Sequence, residues 1–193
     1  MVGRRIRTVL TLVSLLSGVC LFGGASFGVQ RASADLLPVT TSLTGSTFTA
    51  TFSGDDAGYS FAVDTNSALS LTTGGGWIVG RAAPGFATFG FVAGVHPDGS
   101  FFGHLVYIDH GTGYVLQSTS IAPVFTFGCL GEFEGIGDDN VSALPVSFNV
   151  EVGDNGEPGT GLDAFTIGIS PEASESNSGT LEGGNIQVHG TCP

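Results

Sequence analysis

Lysine is absent from this 193-residue chain, and four of its five arginines lie before residue 32. After Ala34 a single cation, Arg81, stands against all 17 acidic residues. Binding to nucleic acid or to an anionic membrane surface needs cationic patches, so this balance excludes both classes. A cationic partner, a divalent ion or a neutral glycan is left. Charged residues are only 11% of the chain, while 41% is hydrophobic and 32 residues are glycine. Disorder requires low hydrophobicity, so the composition describes a folded, turn-rich protein. Also missing are a sustained helical stripe after residue 35, a Gly-x-Ser-x-Gly nucleophile turn and a phosphate-cradling glycine loop.

What the N-terminus does hold is an ordered pattern. Arg4, Arg5 and Arg7 precede an apolar run from Val9 to Val29, which ends in Ala32-Ser33-Ala34. A positive start, an apolar middle and an A-x-A end predict a secretory signal peptide over 1–34, cut after Ala34. A retained anchor needs about 20 continuous apolar residues, and Ser14, Ser17, Gly18, Gly23, Gly24, Ser26 and Gly28 dilute this run. Lipidation at Cys20 is the competing reading, weakened by the bulky Val19 before it. The expectation is an extracellular or cell-surface protein with no membrane span after cleavage.

Two cysteines then remain, Cys129 and Cys192. In an oxidising compartment such a pair predicts one disulfide. The alternative is two free thiols, with Cys129 buried beside Phe125 and Phe127.

Period-2 alternation recurs along the rest of the chain. Val146, Phe148, Val150 and Val152 share one face of a strand, with Ser147, Asn149 and Glu151 on the other. Phe165, Ile167 and Ile169 repeat the pattern, as do Phe125, Phe127 and Cys129, and Phe48, Ala50 and Phe52. Further strands are expected near 59–63, 76–81, 86–93, 103–109, 114–120 and 185–189. Turn signals at Gly54-Asp55-Asp56, Pro97-Asp98-Gly99, Gly111-Thr112-Gly113 and Asp154-Asn155-Gly156 separate them. The predicted fold is all-β, a single antiparallel β-sandwich of jelly-roll type. Residues 35–73 form an N-terminal strand region of the same sandwich and 74–193 the main β domain. Gly74-Gly75-Gly76 is either a boundary between them or one loop of a single domain. Residues 170–184 read as a polar surface loop.

From Gly74 onward six segments occur in a recognisable order. They are Gly74-Gly75-Gly76-Trp77-Ile78, Ala87-Thr88-Phe89-Gly90-Phe91, Gly103-His104-Leu105-Val106-Tyr107-Ile108-Asp109-His110, Asp154-Asn155-Gly156-Glu157-Pro158-Gly159, Asp163-Ala164-Phe165-Thr166-Ile167 and Gly183-Gly184-Asn185-Ile186-Gln187-Val188-His189. The series resembles the post-COAP domain of secreted and surface bacterial proteins, over residues 74–189. The resemblance implies an extracellular all-β module without an established activity.

Several groups are candidates for chemistry. Asp154, Asn155 and Asp163 concentrate oxygen donors on a glycine-rich loop, as calcium requires, although the Asp-x-Asp-x-Asn-Gly alternation of the twelve-residue calcium loop is absent. The competing reading is hairpin-turn chemistry. Gly137-Asp138-Asp139-Asn140 is a second acidic turn, and Asn140-Val141-Ser142 matches the glycosylation acceptor pattern. His104, Asp109 and His110 suggest a metal or a dyad, but six extended steps place the two imidazoles about 20 Å apart. A hydrogen-bonding pair that closes the strand end is the simpler expectation, with His189 able to approach either histidine. Glu132 and Glu134 share a strand face, and paired carboxylates serve glycoside hydrolysis. Trp77, Tyr107 and Tyr114 are candidate exposed aromatics for a glycan. The functional expectation is a non-catalytic extracellular β-module with a structural, adhesion or surface-interaction role, steadied by calcium. Carbohydrate binding and a glycoside hydrolase-like activity are the alternatives.

Overall fold

The computed structural model describes residues 39–190 and Cys192, which belong to one compact unit. The segment 1–34 expected to be a signal peptide, including Cys20, lies outside the described residues. The protein is all-β and antiparallel, as the period-2 alternation predicts. A three-stranded sheet comes first, made of β1 (Thr40–Thr44), β2 (Thr47–Thr51) and β3 (Phe61–Asp64). A short 3-10 helix, Gly54–Tyr59, joins β2 to β3.

The main sheet is a meander. β4 (Ser70–Val79), β5 (Phe86–Val95), β6 (Phe101–Asp109), β7 (Tyr114–Phe127), β8 (Leu130–Asp139), β9 (Val146–Gly153) and β10 (Ala164–Ser170) each pair with the next. β11 (Asn177–Thr180) then pairs with β10, and β12 (Gly183–His189) pairs with β4 at the far edge. Jelly-roll connectivity interleaves two Greek keys, so this finer expectation is corrected. The hairpin turns are short enough to join neighbours in sequence, and only β12 is placed out of order among the described strands.

The sheet curls until its edges meet. Asn177 Nδ2 donates to the Val79 carbonyl at 3.1 Å, and the Glu182 amide donates to the Trp77 carbonyl at 3.0 Å. Residues 177–189 therefore pair first with β10 and, past Leu181, with β4. Ser70 Oγ lies 2.9 Å from Thr126 Oγ1, and a side chain at Gly131 would touch Thr72, so β7 and β8 face β4 across the interior. Contacts between strands several places apart, such as β4 with β7, make the curled sheet sandwich-like.

Aromatic rings fill the interior. Phe89 stacks on Phe165 with centroids 3.8 Å apart, and Phe91 lies against Phe133 at 5.2 Å. Leu105, Tyr107, Tyr114, Leu116, Val150, Ile167 and Ile186 complete the core. Each such side chain contributes about 1.5–3 kcal/mol on full burial. β4–β6 are buried on both faces, because the three-stranded sheet packs outside them. Phe48, Ala50 and Phe52 meet Leu71, Val92, Val106 and Ile108 there.

Gly74-Gly75-Gly76 is neither boundary nor loop; it is the middle of β4. A Cβ on Gly76 would strike the backbone of Gly183, and one on Gly74 would strike Phe91. The glycines let β12 and the Phe91 ring approach closely. The expected surface loop over 170–184 is corrected in part, since Asn177–Thr180 and the start of β12 are strands.

Candidate functional site

The loop after β9 carries the residues considered for calcium. Asp163 is fully buried. Its Oδ1 accepts the Asn155 amide at 2.8 Å and its Oδ2 the Ile186 amide at 2.9 Å. Asp154 Oδ2 accepts the Val188 amide at 3.0 Å, and Asn155 Nδ2 donates to the Leu162 carbonyl at 2.9 Å. The amides of Ile186 and Val188 point away from β4, so a strand edge would stand open without these carboxylates. Burial raises the Asp163 carboxyl above its usual range, against the pull of the Ile186 and Asn155 amides. Among the described residues no group of three or more His, Cys, Asp and Glu side chains is arranged to hold a metal ion. The three residues sit together, and both Asp163 oxygens and Asp154 Oδ2 are engaged by backbone amides.

Cys129 and Cys192 are joined, with Cα atoms 4.5 Å apart and 63 positions between them in sequence. The bridge ties the β7–β8 turn to the segment after β12. A depression of about 610 Å³ lies beside it, lined by Asp154, Glu157, Gln187 and His189.

The histidines are separated. His104 is half-buried on β6, with Nδ1 3.2 Å from Ser118 Oγ and its ring edge-on to Phe61 at 4.5 Å. His189 Nε2 lies 2.9 Å from Thr73 Oγ1. Burial lowers both imidazoles below their ordinary value. His110 does not pair with Asp109. Its Nε2 lies 3.0 Å from Thr88 Oγ1 and 3.2 Å from Asp56 Oδ2, and its ring stacks on Phe86. Burial raises the Asp56 carboxyl, partly offset by His110. Asp56 was not foreseen, because it comes from a turn 54 positions earlier in sequence. Asp109, fully buried, instead accepts the amides of Arg81, Gly111 and Thr112 and fixes the turn after β6. Asp139 organises the second acidic turn. Burial pushes its carboxyl up, but hydrogen bonds from Ser142, Tyr114 and Val141 outweigh it and hold it below its usual range.

Two proposed glycan contacts are overturned. Tyr107 and Tyr114 are fully buried, each with its hydroxyl bonded, to Asn177 and to Asp139. Their side chains fall on the inward face of strands that curl around the core. Trp77 is half-buried, edge-on to Phe86 at 6.3 Å.

Exposed large side chains are spread over the surface, and three of them cluster on the outer face of β7 and β8, which the three-stranded sheet leaves uncovered. Phe127 is 84% exposed, and Phe125 and Leu130 are each 60% exposed. Phe127 stands opposite Leu130, Phe125 opposite Glu132, and Glu132 opposite Glu151. Glu134 follows on the same face opposite Asn149, which stands beside Gly168. Gly168 has no side chain to fill the surface, and a cleft of about 490 Å³ opens there, lined by Glu132, Glu134, Asn149 and Ser176. The alternation of β8 announces this face, but sequence alone does not say which half of the sheet stays bare.

The architecture defines the chain as an all-β protein with a curled antiparallel sheet. Compared with known proteins, it matches no protein family, no curated protein and no solved structure.

Proposed function

We propose that the chain is a secreted, non-catalytic β-module that holds another extracellular component against the outer face of β7–β10. The observation that carries this reading is the contrast between the two halves of the sheet. One outer face is covered by β1–β3, while the other presents Phe125, Phe127 and Leu130 to solvent on a hairpin anchored by the disulfide. Contiguous exposed apolar side chains rimmed by polar ones mark interaction surfaces. The disulfide suits an oxidising compartment, and the signal-like N-terminus and the post-COAP resemblance point the same way. His104, His110 and His189 each engage a separate hydroxyl rather than converging on one site.

Carbohydrate binding is a second reading, favoured by the cleft over Gly168 with its carboxylates and the Asn149 amide. Hydrolysis by Glu132 and Glu134 has less support, since both stand on one solvent-exposed strand face.

The test expresses the full chain, collects the exported protein and measures its retention on intact cells of the producing organism. Retention of the wild type and its loss in Phe125→Ser/Phe127→Ser is the expected result. Equal retention of both proteins, or none of either, refutes the reading.

A further inference from the structure

Resting on that reading, we infer that the component seated on this face is a basic, extended polypeptide segment. Glu132 and Glu151 are directly opposite on an antiparallel pair, with Glu134 two residues along. Like charges in such positions destabilise a sheet. No Arg, Lys or His stands among their register partners, which besides each other are Phe125, Asn149 and Thr166. Arg81, the sole arginine after residue 34, is 3.5 Å from Glu175 and belongs to another part of the surface. The face thus carries negative charge that the described chain leaves uncompensated beside three exposed apolar side chains.

A complementary surface must bring cations and apolar groups together. Arginine does both: its guanidinium pairs with carboxylates in bidentate geometry and stacks on aromatic rings. Spacing adds to this. Leu130, Glu132 and Glu134 rise from β8 at every second residue, steps of roughly 6.6 Å, which is also the spacing of alternate side chains on an extended peptide. A second copy of this chain is a poor occupant, because it would set carboxylates against carboxylates. An anionic membrane is repelled for the same reason, and a neutral glycan leaves Glu132 and Glu151 uncompensated. The hairpin tip is held by Cys129–Cys192, so the patch is ordered before anything binds, which lowers the entropic cost of association.

The test is calorimetric titration of the exported protein with a ten-residue peptide alternating Arg and Val, in low and physiological salt. A peptide alternating Glu and Val is the control. The expected result is binding of the Arg–Val peptide alone, weakened by salt. Affinity should drop at least tenfold in Glu132→Gln/Glu151→Gln and in Phe125→Ser/Phe127→Ser, with melting temperatures preserved. No binding, or binding unchanged in both variants, overturns the inference. Binding of a chitosan oligomer or a neutral oligosaccharide in place of the peptide overturns it in favour of a glycan, and binding to phosphatidylglycerol vesicles overturns it in favour of a membrane. If the peptide fails while Phe125→Ser/Phe127→Ser still abolishes retention on cells, the partner chemistry falls and the interaction module stands.

Discussion

Replacing Asp163 by alanine tests whether carboxylates close the seam of the sheet. The side chain is fully buried and accepts the amides of Asn155 and Ile186 at 2.8 and 2.9 Å. Leaving the buried Ile186 N–H without a partner costs about 1–3 kcal/mol, while the amide of the exposed Asn155 can turn to water at little cost. Relief from burying a carboxylate, whose ionisation the site disfavours, offsets part of this, and a net loss of about 1–2 kcal/mol follows. For a chain of this size that lowers the melting temperature by about 2–8 °C. Thermal unfolding at pH 7 measures the loss, and hydrogen exchange at the Ile186 amide measures its place. The amide should exchange faster in the variant. Calcium against a chelator is the companion measurement. If these acids serve the backbone, the wild-type melt is the same in both. A Asp163→Ala variant as stable as the wild type, with a protected Ile186 amide, would refute the argument, and a calcium-dependent rise in the wild type would return Asp154, Asn155 and Asp163 to the role of ion ligands.

Two further outcomes are expected. Burial depresses the folded-state pKa of His104 and His189, so the stability they contribute is present above about 6.5 and is lost as pH falls through the lower folded value. The wild-type melting temperature should therefore carry a downward contribution from pH 7 to 5, and His104→Gln should flatten it; an identical pH profile removes His104 from the account. Asp56 and Asp163, raised by burial, act in the opposite sense, and their contribution is complete only below the ordinary carboxyl value. Removing the bridge by Cys129→Ser/Cys192→Ser should cost about 4 kcal/mol by loop entropy, read as a lower denaturant midpoint with an unchanged native spectrum, and no change in midpoint would contradict it.

The strands were legible where a single face is buried. Val146, Phe148, Val150 and Val152 alternate as predicted within β9, and Phe165, Ile167 and Ile169 within β10. Legibility failed where burial is two-sided or absent. β4 is buried on both faces and carries glycines at its centre, so its alternation vanishes and a strand looks like a boundary. β11 reads Asn-Ser-Gly-Thr, with no apolar signal, and exists because β10 and β4 offer hydrogen bonds on either side. Tyr107 and Tyr114 resemble exposed platforms until the curl of the sheet turns them inward. The pairing of His110 with Asp56 depends on how the small sheet lies across the large one, which no local pattern encodes.

The change of partner within residues 177–189 has a consequence for how the molecule is made. β4 leaves one edge unpaired until a segment more than 100 residues downstream arrives to cover it. Contacts so distant in sequence form slowly, because loop closure precedes their reward. A chain emerging in order from a ribosome therefore keeps that edge of β4 open until residue 189 is free. Completion of the sheet thus waits on the last strand of the described chain, however early the rest of the meander forms.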